Sequence, residues 1–350
     1  NARVKKSKSK YFEAEAVEIL KKSPYRVEPK CIHFGTCGGC KWQNMSYEKQ
    51  LDIKQEEVYN NIKRIGGVDD FETVKILGAE DHYFYRNKME FSFSNARWLT
   101  QYEISSEENF GSRAALGFHI PGMWSKILDL KECWLQEDPS NAMRLAVRNY
   151  AVENGLDFFD VKNQEGFLRT LMMRQNSKGE WMVLFQLYRE EKENRENLFR
   201  FLLEKFPQIK TLVYAINPKQ NDSIYDLNVN IYHGEGYLME EMDGLQFKIG
   251  PKSFFQTNYK QALELYRKTL EFADLKGDEV VYDLYTGTGT IAQYVARNAK
   301  QVIGIESVQE AIDAAIEHAQ LNGLTNTTFY CGDMKNVFND EFLENHPKAD

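Results

Sequence analysis

Apolar and polar positions alternate through much of residues 83–245, as in KMEFSFS (88–94), ALGFHI (115–120), LRTLMMR (168–174) and WMVLFQL (181–187). A period of two sends successive side chains to opposite faces, so these stretches predict strands. Helical spacing interrupts them near 140–154 and 191–205. Residues 1–30 hold shorter alternating stretches, YFEAEAVEIL (11–20) among them, and predict short strands. SYEKQLDIKQEEVYNNIKRI (46–65) predicts a helix: Ser46 is placed to cap it, Tyr47, Leu51, Val58, Ile62 and Ile65 share one face, and Gly66-Gly67 stops it. From residue 258 onward helix and strand alternate. A helix opens at Asn258, then come EVVYDLY (279–285), a glycine turn, a helix from 290, QVIGI (301–305), a helix from 308 and TTFYC (327–331). That order predicts a parallel sheet with helices on both faces.

Composition changes the picture in two ways. The 350 residues exceed what one ordinary core organises, so two or three domains are expected. No apolar run approaches the roughly 18–20 residues that span a bilayer, and no membrane partner or signal peptide is expected. Net charge is −8, yet the opening NARVKKSKSK is strongly basic, and Lys21, Lys22, Arg26 and Lys30 extend the bias. Local basic patches decide phosphate binding more than total charge does; a solvated basic tail accounts for the same residues. An odd count of five cysteines argues against a secreted disulfide scaffold and for a reducing cytoplasm. Nothing in the sequence calls for more than a monomer.

Three of those five cysteines, Cys31, Cys37 and Cys40, crowd into CIHFGTCGGCKWQN (31–44). Metal ligands, half of a disulfide framework and a cysteine-rich loop are all open readings. Four thiolates suit an iron–sulfur cluster or a tetrahedral zinc ion alike.

VVYDLYTGTGTIA (280–292) carries clearer chemistry. Asp283 ends a buried strand, Gly287 and Gly289 form the turn, and a helix begins at Thr290. Glycines let a ligand approach the backbone, and a helix N-terminus offers free N–H groups. With Ala292 third, the run also fits a dinucleotide fingerprint. An acid before the glycines favours S-adenosylmethionine, whose methionine end is cationic. Glu306, closing VIGIE, is placed to take both ribose hydroxyls, and Asp333 after the third strand to accept from the adenine amino group.

IGPKSFFQTN (249–258), followed by a helix and the Asp283 turn, closely resembles the RNA 5-methyluridine methyltransferases, the RumA/TrmA family. FYRNKMEFSF around Arg86 and Lys88, GFLRTLMMR around Arg169 and Arg174, and IYHGEGYL near Tyr232 look like the same family, and the resemblance covers essentially the whole chain. It implies an α/β Rossmann-like S-adenosylmethionine methyltransferase domain at 246–350, C-terminally incomplete, after a mostly β central RNA-binding domain at 31–245. Residues 1–30 would be the remainder of a TRAM domain, a small oligonucleotide-binding β-barrel. In the RumA-like branch, Cys31, Cys37 and Cys40 with Cys133 of ILDLKECWLQ would hold a 4Fe-4S cluster as a structural clamp.

The resemblance further implies methylation of uridine carbon 5, with 23S ribosomal RNA as the preferred target and the transfer-RNA thymine loop as the alternative. A cysteine thiolate adds to carbon 6, the enolate takes the methyl group, and a base removes the carbon-5 proton. The target base leaves its stack to react. Gln256 would sit between cofactor and base, Tyr285 would line the cofactor site beside Glu306, and Phe254 or Phe255 would stack on bases, one of the two being core. Arg86, Lys88, Arg169 and Arg174 are the expected RNA contacts. The family's Asp-Pro-Pro-Arg motif, its Ser-Cys-Asn nucleophile motif and its general base lie later than NHPKAD (345–350), so they are expected after Asp350. Cys331 is expected to be a buried structural thiol. Readings of other classes are a non-catalytic iron–sulfur RNA-binding protein and a nicotinamide oxidoreductase.

Overall fold

A computed structural model describes residues 1–106 and 112–350 and divides them into two units, Asn1–His82 and Tyr83–Asp350. In the first unit, β1 (Ala2–Ser7) and β2 (Phe12–Ala16) form an exposed antiparallel hairpin. The cysteine loop follows, tied by Cys31 N–H to Gln43 Oε1 at 3.1 Å and by Gln50 Nε2 to the carbonyls of Trp42 and Met45. Helix α1 (Tyr47–Asn60) runs into a π-helical turn, Asn61–Ile65. Ser46 precedes it as expected but makes no side-chain cap bond. The expected apolar face buries no residue: Val58, Ile62 and Ile65 are exposed, and the π-turn shifts the later positions out of register with the earlier ones. The segment after it is held on α1 by Gln55, which bonds Val74 O and Ile76 N, and by Tyr47 Oη, which accepts from Ala79 N.

The second unit is built on a seven-stranded sheet. Its elements are β3 (Lys88–Ser94), a short α2 (Gln101–Ser105), β4 (Ala115–Ile120), β5 (Met123–Asp129), α3 (Ser140–Glu153), β6 (Leu168–Gln175), β7 (Trp181–Leu187), α4 (Lys192–Lys205), β8 (Ile209–Ile216) and β9 (Asn230–His233). The spatial order is β5-β4-β3-β6-β7-β8-β9, antiparallel except for β7–β8, where α4 supplies the crossover a parallel pair needs. The two expected helices are α3 and α4. β6 and β7 are buried on both faces, which explains their near-continuous apolar runs. Phe185 meets Phe199 of α4 at 5.0 Å between ring centroids, and Met172, Met182, Leu184 and Val213 pack with Leu238 on a separate core.

A hairpin follows, β10 (Leu238–Met242) and β11 (Leu245–Ile249), then α5 (Tyr259–Ala273), whose first turn is capped by Asn258 accepting from Gln261 N–H at 3.1 Å. Phe247 and Ile249 pack with Phe255, Ala262, Tyr266 and Tyr294. Then strand and helix alternate as expected: β12 (Val280–Leu284), α6 (Thr290–Ala296), β13 (Gln301–Glu306), α7 (Gln309–Leu321), β14 (Thr327–Cys331), α8 (Met334–Val337) and α9 (Asp340–Asn345). The three strands are parallel in the order β12-β13-β14. Ala292, Val295 and Ala296 cover one face with Val302; Phe342 covers the other with Ile303 and Ile305. Among the described residues no helix is long and apolar enough to cross a membrane.

Candidate functional site

The parallel strands end together at the glycine turn. Gly287 (φ +57°) and Gly289 (φ +74°) adopt left-handed backbone that only glycine takes without cost. A Cβ on Gly289 would stand 2.9 Å from the Ala315 Cβ and 3.2 Å from the Phe329 ring, whereas one on Gly287 would meet nothing within 4 Å. Tyr285 also has positive φ, +68°, and is 75 % exposed. A bulky residue in that region is strained, and strain of this kind clusters at functional sites.

Two carboxylates frame the turn with opposite tendencies. Asp283 is half-buried, and that burial pushes its carboxyl up from the usual range; Thr286 Oγ1 and Ala292 N–H donate to its Oδ2 at 2.7 and 3.1 Å and work against that rise. Glu306, at the tip of β13, accepts from Ser307 N–H at 2.7 Å, Val308 N–H at 3.0 Å and Gly287 N–H at 3.1 Å. Burial alone would raise its carboxyl, but these bonds outweigh burial and hold it below the usual range. Glu306 is therefore an ionised group fastened to the turn. Thr290 begins α6, and Asp333 is exposed at the start of α8, where it accepts from Lys335 N–H at 2.9 Å.

The loop 250–258 is braced from the seven-stranded sheet. Arg174 donates to Gly250 O at 3.1 Å and Ser253 O at 3.0 Å. Asn87 donates from Nδ2 to Gln256 O at 3.0 Å and from its backbone N–H to Thr257 O at 2.7 Å. So held, the loop exposes Phe254 and Gln256 and buries Phe255 among β11 and α5.

Several expected site residues stand elsewhere. Arg174 and Arg169 are 4 % and 2 % exposed, so neither is placed to meet RNA. Arg169 is spent on Asp222 Oδ1 and the carbonyls of Asn217 and Lys219, and it lies over the Phe159 ring. Burial pushes the Arg174 guanidinium down to about 10. Arg86 and Lys88 remain half-buried; burial, then the Arg174 charge, pushes the Lys88 ammonium down. Cys331 is exposed rather than buried, because β14 ends at an open position; its thiol faces Ser307 O at 3.7 Å.

Cys31, Cys37 and Cys40 are partly exposed in one loop of the first unit; burial pushes the Cys37 thiol up, and Cys40 and Cys31 add to the rise. Cys133 belongs to the second unit, where Asn141 brackets its backbone N–H and carbonyl at 2.7 and 3.0 Å. Among the described residues no group of three or more His, Cys, Asp or Glu side chains is disposed to hold a metal ion. The sequence reading missed Asn87, His318 and Asn322. A polar pair four apart on the buried face of α7, beside Ile312, Ala315 and Ala319, was the available signal.

A family profile described as a methyltransferase domain matches residues 275–346, the span of the parallel sheet. A protein named an uncharacterized RNA methyltransferase in Bacteroides thetaiotaomicron is 49% identical over 350 residues, covering 99% of this chain and 77% of its own. One of the same name in Porphyromonas gingivalis is 49% identical over 352 residues, covering 99% and 76%. The crystal structure of Pyrococcus abyssi tRNA (uracil-54, C5)-methyltransferase in complex with S-adenosyl-L-homocysteine superposes with a TM-score of 0.69. At 24% identity over 95% of this chain and 71% of that one, the likeness is one of fold. Half of all positions shared with these relatives over nearly its whole length makes this chain a member of the RNA methyltransferase family.

Proposed function

We propose that this protein is an S-adenosylmethionine-dependent methyltransferase acting on carbon 5 of uracil in RNA. The observation that carries the reading is Glu306: an ionised carboxylate at the end of β13, bonded to the Gly287 amide of a turn whose glycines admit a ligand to the backbone. The residues present fit that cofactor. Glu306 would take the ribose hydroxyls, Asp333 the adenine amino group, and Tyr285 would line the site. Gly287, Gly289 and Thr290 would leave the backbone open to the ligand, and the Asp283 charge would face the methionine end. When bound, the cofactor supplies an electrophilic methyl group on a sulfonium centre.

This chain's own residues do the rest by position. Gln256 would stand between cofactor and base, Phe254 would stack on a splayed base, and Arg86 and Lys88 would meet phosphates. Large-subunit ribosomal RNA is the preferred substrate on the strength of the cysteine loop. Transfer RNA is the second reading, favoured by the Pyrococcus neighbour, which acts on uracil 54 of tRNA. A 4Fe-4S cluster on Cys31, Cys37, Cys40 and Cys133 is proposed on the softness of the donor set alone, and no step is routed through it. Iron and acid-labile sulfide in equal amounts after anaerobic purification support it; zinc or no metal overturns it.

The test of the main reading has two arms. Calorimetric titration of this chain with S-adenosylhomocysteine should show binding that NADH does not. Labelled methyl transfer by the native gene product onto separated RNA classes should release the carbon-5 proton of uridine. Labelled cytidine or adenosine sinks the uracil assignment, and transfer RNA labelled in preference to ribosomal RNA sinks the substrate choice.

A further inference from the structure

β11 is paired on one edge with β10; its other edge is completed by two side chains of α7. Asn322, just past the helix, accepts from Gln246 N–H at 2.7 Å and donates to Gln246 O at 2.9 Å. One turn earlier, His318 accepts from Lys248 N–H at its Nε2 at 3.0 Å. Gln246 and Lys248 are two apart, so they turn the same edge outward, and residues 318 and 322 are four apart, so they share a helix face. The helix thus offers the strand what a neighbouring strand would.

The bonds continue past the strand. Nε2 also lies 3.1 Å from Lys248 O, while Nδ1 lies 3.2 Å from Thr288 O inside the glycine turn; a carbonyl can only accept, so that bond has Nδ1 as the donor. Asn322 also donates to Gln293 Oε1 at 2.9 Å, and Gln293 Nε2 donates to Ala315 O at 3.2 Å. His318 and Gln293 are fully buried. Apolar contacts alone would pack α7 on its neighbours. These side chains instead grip the backbone of two site segments: the turn, and the strand that ends one residue before Gly250.

We infer that His318 and Asn322 are positioning residues that set the glycine turn against the loop carrying Gln256, so that occupation of the turn is felt at the loop. The inference deepens the proposed function and rests on the turn being the cofactor site. Neither residue touches the reacting atoms; both act through backbone groups that do the presenting.

Hydrogen–deuterium exchange on this chain, with and without saturating S-adenosylhomocysteine, tests it. In the native sequence the ligand should slow exchange at 287–293 and also at 246–257. His318→Leu and Asn322→Asp should bind about tenfold more weakly, the loss of one or two buried hydrogen bonds. At saturation they should keep the protection at 287–293 and lose it at 246–257. His318→Gln, whose amide both donates and accepts, should recover the distal protection. Asn322→Asp is nearly isosteric and keeps the test open if His318→Leu fails to fold. Loop protection equal to the native chain in either variant overturns the inference, as does no ligand effect at 246–257 in the native chain. No binding by the native chain overturns the cofactor reading itself and is read directly from the titration.

Discussion

Alanine at Gly287 and at Gly289 makes a matched pair of perturbations within one turn. Both positions are left-handed, φ +57° and +74°, so either alanine carries about 1–2 kcal/mol of backbone strain. Only position 289 is also crowded: its new Cβ would lie 2.9 Å from the Ala315 Cβ, 3.2 Å from Gln293 Nε2 and 3.2 Å from the Phe329 ring. Neither the Ala315 methyl, on a helix, nor Phe329, on β14, is a free side-chain end that can swing away. Overpacking of this kind adds about 1–3 kcal/mol, giving about 2–5 kcal/mol in all for Gly289→Ala. At roughly 2 °C per kcal/mol for a unit of this size, thermal unfolding followed by circular dichroism should fall by about 2–4 °C for Gly287→Ala and about 4–10 °C for Gly289→Ala. Binding of S-adenosylhomocysteine, titrated below both transitions, should weaken in the same order. Equal melting points would refute the reasoning, for then the approach of α7 and β14 to the turn imposes nothing.

Other outcomes follow from burial and charge. Phe255→Ala should destabilise by about 3–5 kcal/mol because it empties part of a core, while Phe254→Ala should leave the melt unchanged and weaken single-stranded RNA binding by about 1–3 kcal/mol; a filter-binding assay beside a melt separates them. Arg174→Met removes two charge-assisted bonds worth about 1.5–3 kcal/mol each but also the burial of an uncompensated cation, so the two effects largely offset. Its melt should therefore move little, while hydrogen exchange at residues 254–257 accelerates; unchanged exchange would show that the clamp holds nothing. Glu306 sits below the usual carboxylate range in the fold, so the stability it contributes is present above the unfolded carboxyl's value and is lost as pH falls through its depressed one. Glu306→Gln should flatten that acid limb of the stability profile, and an acid limb identical to the native one would remove Glu306 as its source.

The sequence is most readable where structure is local. The alternation of β12 to β14 with α6 and α7 follows from strand and helix periods, and the glycine turn from its two glycines. Helices α3 and α4 fall within a residue of their expected spans. Legibility fails where contacts go to backbone. Arg174 looked like an RNA contact because an arginine in a strand carries no mark of its burial. Its partners, Gly250 O and Ser253 O, are carbonyls that any residue would have supplied. Phe254 is exposed and Phe255 buried, and which of two adjacent phenylalanines is core depends on where β11 and α5 lie. The later part of the α1 face fails for another reason: a π-turn at Asn61–Ile65 breaks the period on which Ile62 and Ile65 were read.

An irregular segment lacks the ladder that satisfies backbone groups in a strand or helix, so its buried carbonyls need donors from outside. Loop 250–258 draws them from far along the chain: Asn87 is 169 residues from Gln256, and Arg174 is 76 and 79 residues from Gly250 and Ser253. The loop, the seven-stranded sheet and the parallel sheet all lie within the unit Tyr83–Asp350. The loop is bonded by Asn87 and Arg174 from the seven-stranded sheet, while the strand that leads into it, β11, is bonded along its free edge by His318 and Asn322. The exposure of Phe254 and Gln256 and the long-range bonds of Asn87 and Arg174 thus share one physical root, an irregular segment whose carbonyls are satisfied from outside it.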